Sequence, residues 1–390
     1  MNALDLDLLP RVAKTNENAL ISPYSIQSAL AMTYAGADGE TKAEMAKVLH
    51  YPVDDAALHR SFDAFVHELN GVCLRSAKMV EKSNAYGGPS EPISLNVANR
   101  LYGQSGYAFR SAFLTKVQTD HGASFQAVDF RNNAEKVREE INQWVAQQTH
   151  ERIRNVIPPR GLDSQTRLTL VNAVWLKAPW AHEFSEYGTK TETFFVDGKL
   201  EAKVPTMQAQ RHFGFMRGEG FSAVTIRYVG EELQLLVLLP NKNTSVTSVE
   251  KILTPQILAD CAKAAETEVI LHLPKFKIEP QGVALAEEFQ VLGMMTAFDK
   301  PKGSANFDRM VPRKPNDYLL LSNVFHKAFI EVDEKGTEAA AATVVTVVAG
   351  FGITKRPKPV EMKVDRPFLF AIQHRASGAC LFLGRVVDPR

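Results

Sequence analysis

The stretch EKGTEAAAATVVTVVAG, residues 334–350, decides how this chain is read. Its halves favour different structures. Glu338 and the alanines Ala339, Ala340, Ala341 and Ala342 favour helix, whereas residues 343–348, TVVTVV, are β-branched throughout and favour strand. Such a conflict within one short run argues against a single well-determined state. Between residues 337 and 350 only Glu338 is charged, and no other side chain is larger than valine. A segment of this kind can lie in solvent in one state and fill a narrow slot in another. A short helix followed by a buried strand is the plainer reading of the same residues.

The bulk properties leave the field wide. The 390 residues suffice for one large domain or two or three average ones. Hydrophobic residues make up 45% and charged residues 23%, as in ordinary globular proteins. A net charge of +1 gives no reason to expect a nucleic acid or an anionic membrane as partner. Cys73, Cys261 and Cys380 are too widely spaced for a disulfide framework or a zinc site, so each reads as a free thiol. No run approaches 18 apolar residues, the length a transmembrane helix needs. The first residues, MNALDLDLLPRVAK, carry Asp5 and Asp7 and lack a basic start with an apolar core, so they do not form a signal peptide.

No internal repeat or low-complexity linker divides the chain, which reads as a single domain over 1–390. Residues 83–94 are the most loop-like stretch, and residues 353–359, ITKRPKP, read as an exposed extended segment. Residues 25–35 read as a buried helix, with Pro23 suited to its first turn and Ser22 to its cap. Residues 137–149 are amphipathic, with Val137, Ile141, Trp144 and Val145 on one face. Residues 168–176, LTLVNAVWL, form a near-continuous apolar run, as a central strand does; residues 233–239 and 368–372 read likewise. Helices and strands alternate without regular βα units, which points to an α+β fold.

Common catalytic signatures are missing. His67-Glu68 begins a zinc-protease string, but position 71 is glycine. Gly218-Glu219-Gly220 lacks a third glycine and reads as a turn, and no G-x-S-x-G elbow occurs. An enzyme is disfavoured, and no metal or cofactor is expected. One polar set differs from the rest. Ser22 and Ser25 begin a buried helix, Asn172 sits inside an apolar strand, and His326 lies in NVFHKA (residues 323–328). Buried polar groups must find partners, so each of the four is at least a satisfied core residue.

Residues 330–340, IEVDEKGTEAA, resemble the hinge of the serpin family. Similar matches run in order along roughly residues 4–389. They include SPYSI (22–26), LNVANRLY (95–102), VDF (128–130), VNA (171–173), LPKF (273–276), HKA (326–328), RPFLF (366–370) and FLGRVVDP (382–389). The chain is therefore identified as resembling a serpin. That resemblance implies a single-domain fold of about eight or nine helices around three β-sheets, with an exposed reactive-centre loop at residues 337–357. It implies a hinge at Glu334, Gly336, Thr337, Glu338, Ala339, Ala340, Ala341, Ala342 and Thr343. It implies a hydrogen-bonded shutter of Ser22, Ser25, Asn172 and His326 behind the central sheet. It also implies a breach at Trp180, with Lys275 pairing to Glu334. Ala178-Pro179 departs from the glycine usual in the family there. The family places the start of the chain inside its first helix, so the chain reads as a trimmed, extracellular form, or else as cytoplasmic.

The resemblance further implies a monomeric, single-use trap. A serine protease attacks the loop and forms an acyl-enzyme, the cut loop inserts into the main sheet, and the tethered enzyme is distorted; the family also allows crossing to cysteine proteases. Insertion makes a demand the residues can be checked against, because alternate side chains must enter the core. Thr337, Ala339, Ala341, Thr343, Val345 and Val347 form one set, all small or apolar. Glu338 falls in the other, outward set. Family spacing puts the cleaved bond between Gly350 and Phe351. A shift of one residue makes Phe351 the recognised side chain and suits a chymotrypsin-like enzyme, and Val347-Val348-Ala349 suits elastase- or subtilisin-like enzymes. Lys355 and Arg356 suit trypsin-like ones, though Pro357 follows and both lie far from the hinge.

The alternative is a non-inhibitory serpin acting as carrier, chaperone or storage protein; the permissive hinge argues against it. A heparin-type cofactor finds no support, since Arg75, Lys78 and Lys82 are sparse and mixed with Glu81.

Overall fold

The computed structural model describes residues 2–13, 16–83, 91–121, 124–196, 200–338 and 358–390. Among them are the helices α1 (Asn2–Val12), α2 (Pro23–Gly36), α3 (Gly39–Val48), α4 (Asp55–Ser83), α5 (Ser111–His121), α6 (Phe130–Gln148), α7 (Val246–Ile252), α8 (Pro255–Ala262) and α9 (Ala286–Val291). The first eight strands are β1 (Ala19–Ile21), β2 (Ser94–Gln104), β3 (Ser124–Val128), β4 (Leu168–Pro179), β5 (Lys190–Val196), β6 (Leu200–Gly218), β7 (Phe221–Arg227) and β8 (Leu233–Pro240). The rest are β9 (Glu266–Pro274), β10 (Phe276–Ile278), β11 (Val283–Ala284), β12 (Leu321–Val332), β13 (Gly336–Thr337), β14 (Val360–Lys363), β15 (Phe368–His374) and β16 (Ala379–Val386).

Seven strands make the sheet that matters most, in the order β10-β12-β13-β4-β2-β3, with β11 beside β12. Its centre is unusual. β12 and β4 run parallel and pair directly from Leu321↔Leu168 to Phe329↔Trp175, while at the upper end the short β13 lies antiparallel to both, with Thr337 opposite Val332 and Ala178. The remaining strands form one nine-stranded set, bent along the 19-residue β6. One part of β6 pairs with β5 and β9, and its last residues pair with β7, so this strand joins the second and third sheets.

β4 shows why its sequence is apolar on both faces. Val171, Ala173 and Trp175 join the cluster under α6, whose Val137, Ile141 and Val145 face them. Leu168 and Leu170 point into the helical core built on α1, α2 and α3. Val174, Leu176 and Ala178 meet the strands of the other sheets. A strand covered on both sides cannot carry the alternating pattern of a half-exposed one. Helix α2 begins at Pro23, as its residues predict, and Ser22 is the residue before it. The expectation that Ser22 caps α2 needs correcting. Its hydroxyl makes no cap bond and donates to the Leu381 carbonyl oxygen at 2.6 Å instead. A backbone acceptor on β16 lies within reach and offers that hydroxyl a fully buried partner.

Candidate functional site

The site is the seam between β4 and β12, closed half-way up and at its upper end. Half-way up is a polar knot in an otherwise apolar interior. Asn172 is fully buried and its Nδ2 reaches both Ser25 Oγ on α2 and Asn99 Oδ1 on β2. Its Oδ1 meets His326 Nδ1 across the seam. His326 Nε2 accepts the Ser22 N–H at 3.1 Å, so the proton sits on Nδ1 and is donated to Asn172. Burial pushes the imidazole down to about 3, which keeps it neutral. Ser22, Ser25, Asn172 and His326 are thus brought together. Asn99 joins them but was not singled out from sequence, although it lies directly opposite Asn172 in the β2–β4 register.

At the upper end the chain leaves β12, turns at residues 333–335 and re-enters the sheet as β13. Asp333 Oδ1 accepts the N–H groups of Lys335 and Gly336 and fixes the turn. Gly336 is required, because a Cβ there would run into the Ala178 carbonyl oxygen and lie 2.7 Å from Pro179 Cα. Trp180, fully buried, donates its Nε1–H to Asp333 O at 2.9 Å and stacks on Tyr228 at 4.7 Å between ring centres. Lys275 Nζ lies 2.8 Å from Glu334 Oε2, and the Thr189 hydroxyl donates to Glu334 Oε1 at 2.7 Å. Burial raises the Glu334 carboxyl, but the Lys275 and Thr189 hydrogen bonds outweigh it and leave the group below its ordinary value.

Two further hinge side chains are placed. Thr337 is 1% exposed and points through the sheet, where its hydroxyl shares a 2.6 Å hydrogen bond with Tyr228 OH. Glu338 points to the opposite face, as alternation requires, but the expectation that this face is open to solvent is corrected. The connection between α6 and β4 lies over it, so Glu338 is only 8% exposed and pairs with Arg152. Nothing in the hinge residues themselves encodes that cover. Tyr228, Thr189 and Arg152 went unsingled for the same reason: each comes from a distant segment with no local signal. The sites assigned to Ala339, Ala340, Ala341, Ala342, Thr343, Gly350 and Phe351 lie outside the described residues, as do Lys355 and Arg356.

The family model described as Serpin (serine protease inhibitor) matches residues 1–389. This chain is a serpin. It is 34% identical to human Serpin B3, over 98% of this chain and 97% of that protein. Among solved structures the serpin resembles the thermophilic serpin Tengpin in its native state, with a TM-score of 0.82, 27% identity and coverage of 99% and 92% of the two chains. It also resembles thyroxine-binding globulin in complex with thyroxine, with a TM-score of 0.81, 25% identity and coverage of 99% and 97%. The α+β serpin fold and membership of a family of serine protease inhibitors follow for this chain.

Proposed function

We propose that this serpin inhibits serine endopeptidases by trapping them. The enzyme cleaves the loop after β13 and is held as an acyl-enzyme, while the cut loop enters the seven-stranded sheet as a new strand between β4 and β12. The observation that carries the reading is Thr337, seated at the top of a seam in which two parallel strands pair where one more strand would fit.

The energetics favour completion. A strand entering from β13 runs antiparallel to both neighbours. It replaces one parallel ladder, slightly the weaker kind per residue, with two antiparallel ones. Carrying the Thr337↔Ala178 register down one residue at a time sets Val347 opposite Leu168, where β4 begins. Residues 337–347 then fill the slot, and Gly350-Phe351 lies just past its lower end. Along that register Ala339, Ala341, Thr343, Val345 and Val347 share the face of Thr337, which is the core face. None carries a charge whose burial would oppose entry. Insertion must also break the His326–Asn172 bond, so the polar knot acts as a barrier to premature opening.

Phe351 as the recognised side chain suits a chymotrypsin-like target, and Val347-Val348-Ala349 suit elastase- or subtilisin-like ones. The test is incubation with chymotrypsin, elastase, subtilisin, trypsin and papain, followed by denaturing gels and mass spectrometry of the released C-terminal peptide. A covalent complex that survives denaturation supports trapping, and the peptide mass locates the cleaved bond. Cleavage by every enzyme without a complex overturns the reading in favour of a carrier, chaperone or storage role.

A further inference from the structure

Glu338 is where the chain stops following the sheet. Its N–H donates to Glu331 O at 2.8 Å, so its backbone still belongs to the ladder with β12. Its φ is +51°, in the left-handed region that disfavours a non-glycine residue and departs from the extended backbone of a strand. Insertion beyond this point needs that residue to become extended. The left-handed conformation of Glu338 is therefore held by contacts, and the side chain supplies them: the carboxylate is buried and forms an ion pair with Arg152.

Arg152 belongs to the connection between α6 and β4, which is itself fixed over the seam. Lys327 of β12 donates to Arg154 O at 2.9 Å, and the His150 ring meets Trp175 of β4 edge-on at 5.2 Å. Both Glu338 oxygens are shielded from water and neither makes an aligned hydrogen bond, so Arg152 is the contact that offsets the buried charge. The other charged groups facing Glu338 are Glu331 on β12, which opposes it, and Lys177 on β4, which forms an ion pair with Glu91 at 2.5 Å.

We propose that Arg152 is a positioning residue: at neutral pH and above, through its ion pair with Glu338, it keeps the hinge docked at Thr337, poised between release from the sheet and full insertion. The docked hinge is a feature of the uncleaved chain; its consequence for inhibition rests on the trapping reading above. Once Arg152 is lost, the starting point of insertion is lost with it, and more serpin is consumed as substrate for each enzyme trapped.

The docked state is also sensitive to pH. Burial, helped by the charge of Glu331, raises the Glu338 carboxyl from 4.5 to about 7 against the opposing pull of Arg152 and Lys177. The docked hinge thus binds more protons than a released, solvated one. Docking is favoured most below pH 4.5, where the carboxyl is neutral, and weakens as the pH rises through about 7; above that the ionised, buried carboxylate depends on Arg152 to offset its charge.

The experiment is amide hydrogen exchange read by mass spectrometry at residues 337 and 338 between pH 5 and 8.5, corrected for intrinsic rates and run without protease. The full chain is compared with Arg152→Gln, Arg152→Lys and Glu338→Gln, each checked by its melting temperature. Arg152→Gln should exchange at least about tenfold faster at pH 7.5, and Arg152→Lys should recover most of the protection. The parent should lose protection as the pH rises towards 7, and Glu338→Gln should be flat over the range. Exchange that is equal in parent and Arg152→Gln, or a parent profile that matches Glu338→Gln, overturns the proposal. If Arg152→Gln does not fold, the Glu338→Gln comparison alone decides it. Because no enzyme is present, failure here leaves the trapping test untouched, and failure of trapping leaves this result standing.

Discussion

His326 donates its Nδ1–H to the side-chain oxygen of Asn172, directly across the seam where β12 and β4 run parallel. The pair ties β12 to β4, and through Ser22 and Ser25 it ties both strands to the start of α2. A bond between neutral groups is a suitable clasp here. It is strong when shielded from water, and it can be broken without leaving a buried charge behind.

The first prediction concerns that clasp and acidity. His326 is held at about 3 in the folded chain against 6.5 when unfolded, so the unfolded state binds the extra proton between those values. The stability it contributes is complete above pH 6.5 and is lost as the pH falls from there towards 3. His326→Gln should flatten the fall of melting temperature between pH 6.5 and 4. It should also cost about 1–3 kcal/mol at pH 7.5, because the Ser22 N–H or the Asn172 oxygen loses its partner. Parallel melting curves for parent and variant over that range would contradict the assignment.

Thr337 tests the polarity of the slot. Thr337→Arg places a charge where the side chain is 1% exposed and contacts Tyr228. Burying it unpaired costs several kcal/mol. The variant should be cleaved as a substrate with at least a tenfold loss of covalent complex on gels, while remaining folded. Trapping at the parental level would remove the insertion argument.

Gly336 tests the turn into the sheet. Gly336→Ala forces a Cβ against the Ala178 carbonyl oxygen and Pro179 Cα. The expected result is a loss of about 1–3 kcal/mol in stability, with faster amide exchange at Thr337. An unchanged melting temperature and unchanged exchange would show that β13 docks differently.

The Lys275–Glu334 pair is read by a double-mutant cycle. Glu334→Gln, Lys275→Met and the double variant should show a coupling of about 1–2 kcal/mol at pH 7, modest because Lys275 is 38% exposed. The folded carboxyl lies below its ordinary value, so its contribution is present above pH 4.5 and disappears as the pH falls through the folded value. Additive effects of the two changes would mean that the ion pair contributes nothing.

How much of this was legible in the chain depended on the range of the interaction. β4 and α6 could be read because burial writes itself into consecutive residues: both faces of one and a single stripe of the other. Asn172 and His326 were visible as polar residues set in apolar runs. The bond that Ser22 makes was not, since its partner on β16 is 359 residues away. Thr189 and Tyr228 lie 145 and 109 residues from the hinge atoms they hold, and no periodicity marks such contacts. Glu338 was read for the correct face and the wrong surroundings, because what covers it is the path of the connection carrying Arg152 and not any property of the strand.

The central claim is that the cut loop enters between β4 and β12, and the most direct measurement is the melting temperature of the intact chain against the chain cleaved within the loop. The account predicts a rise of roughly 10 °C or more on cleavage, as a parallel seam becomes two antiparallel ladders around a buried strand. A cleaved chain that melts at or below the temperature of the intact one would contradict it.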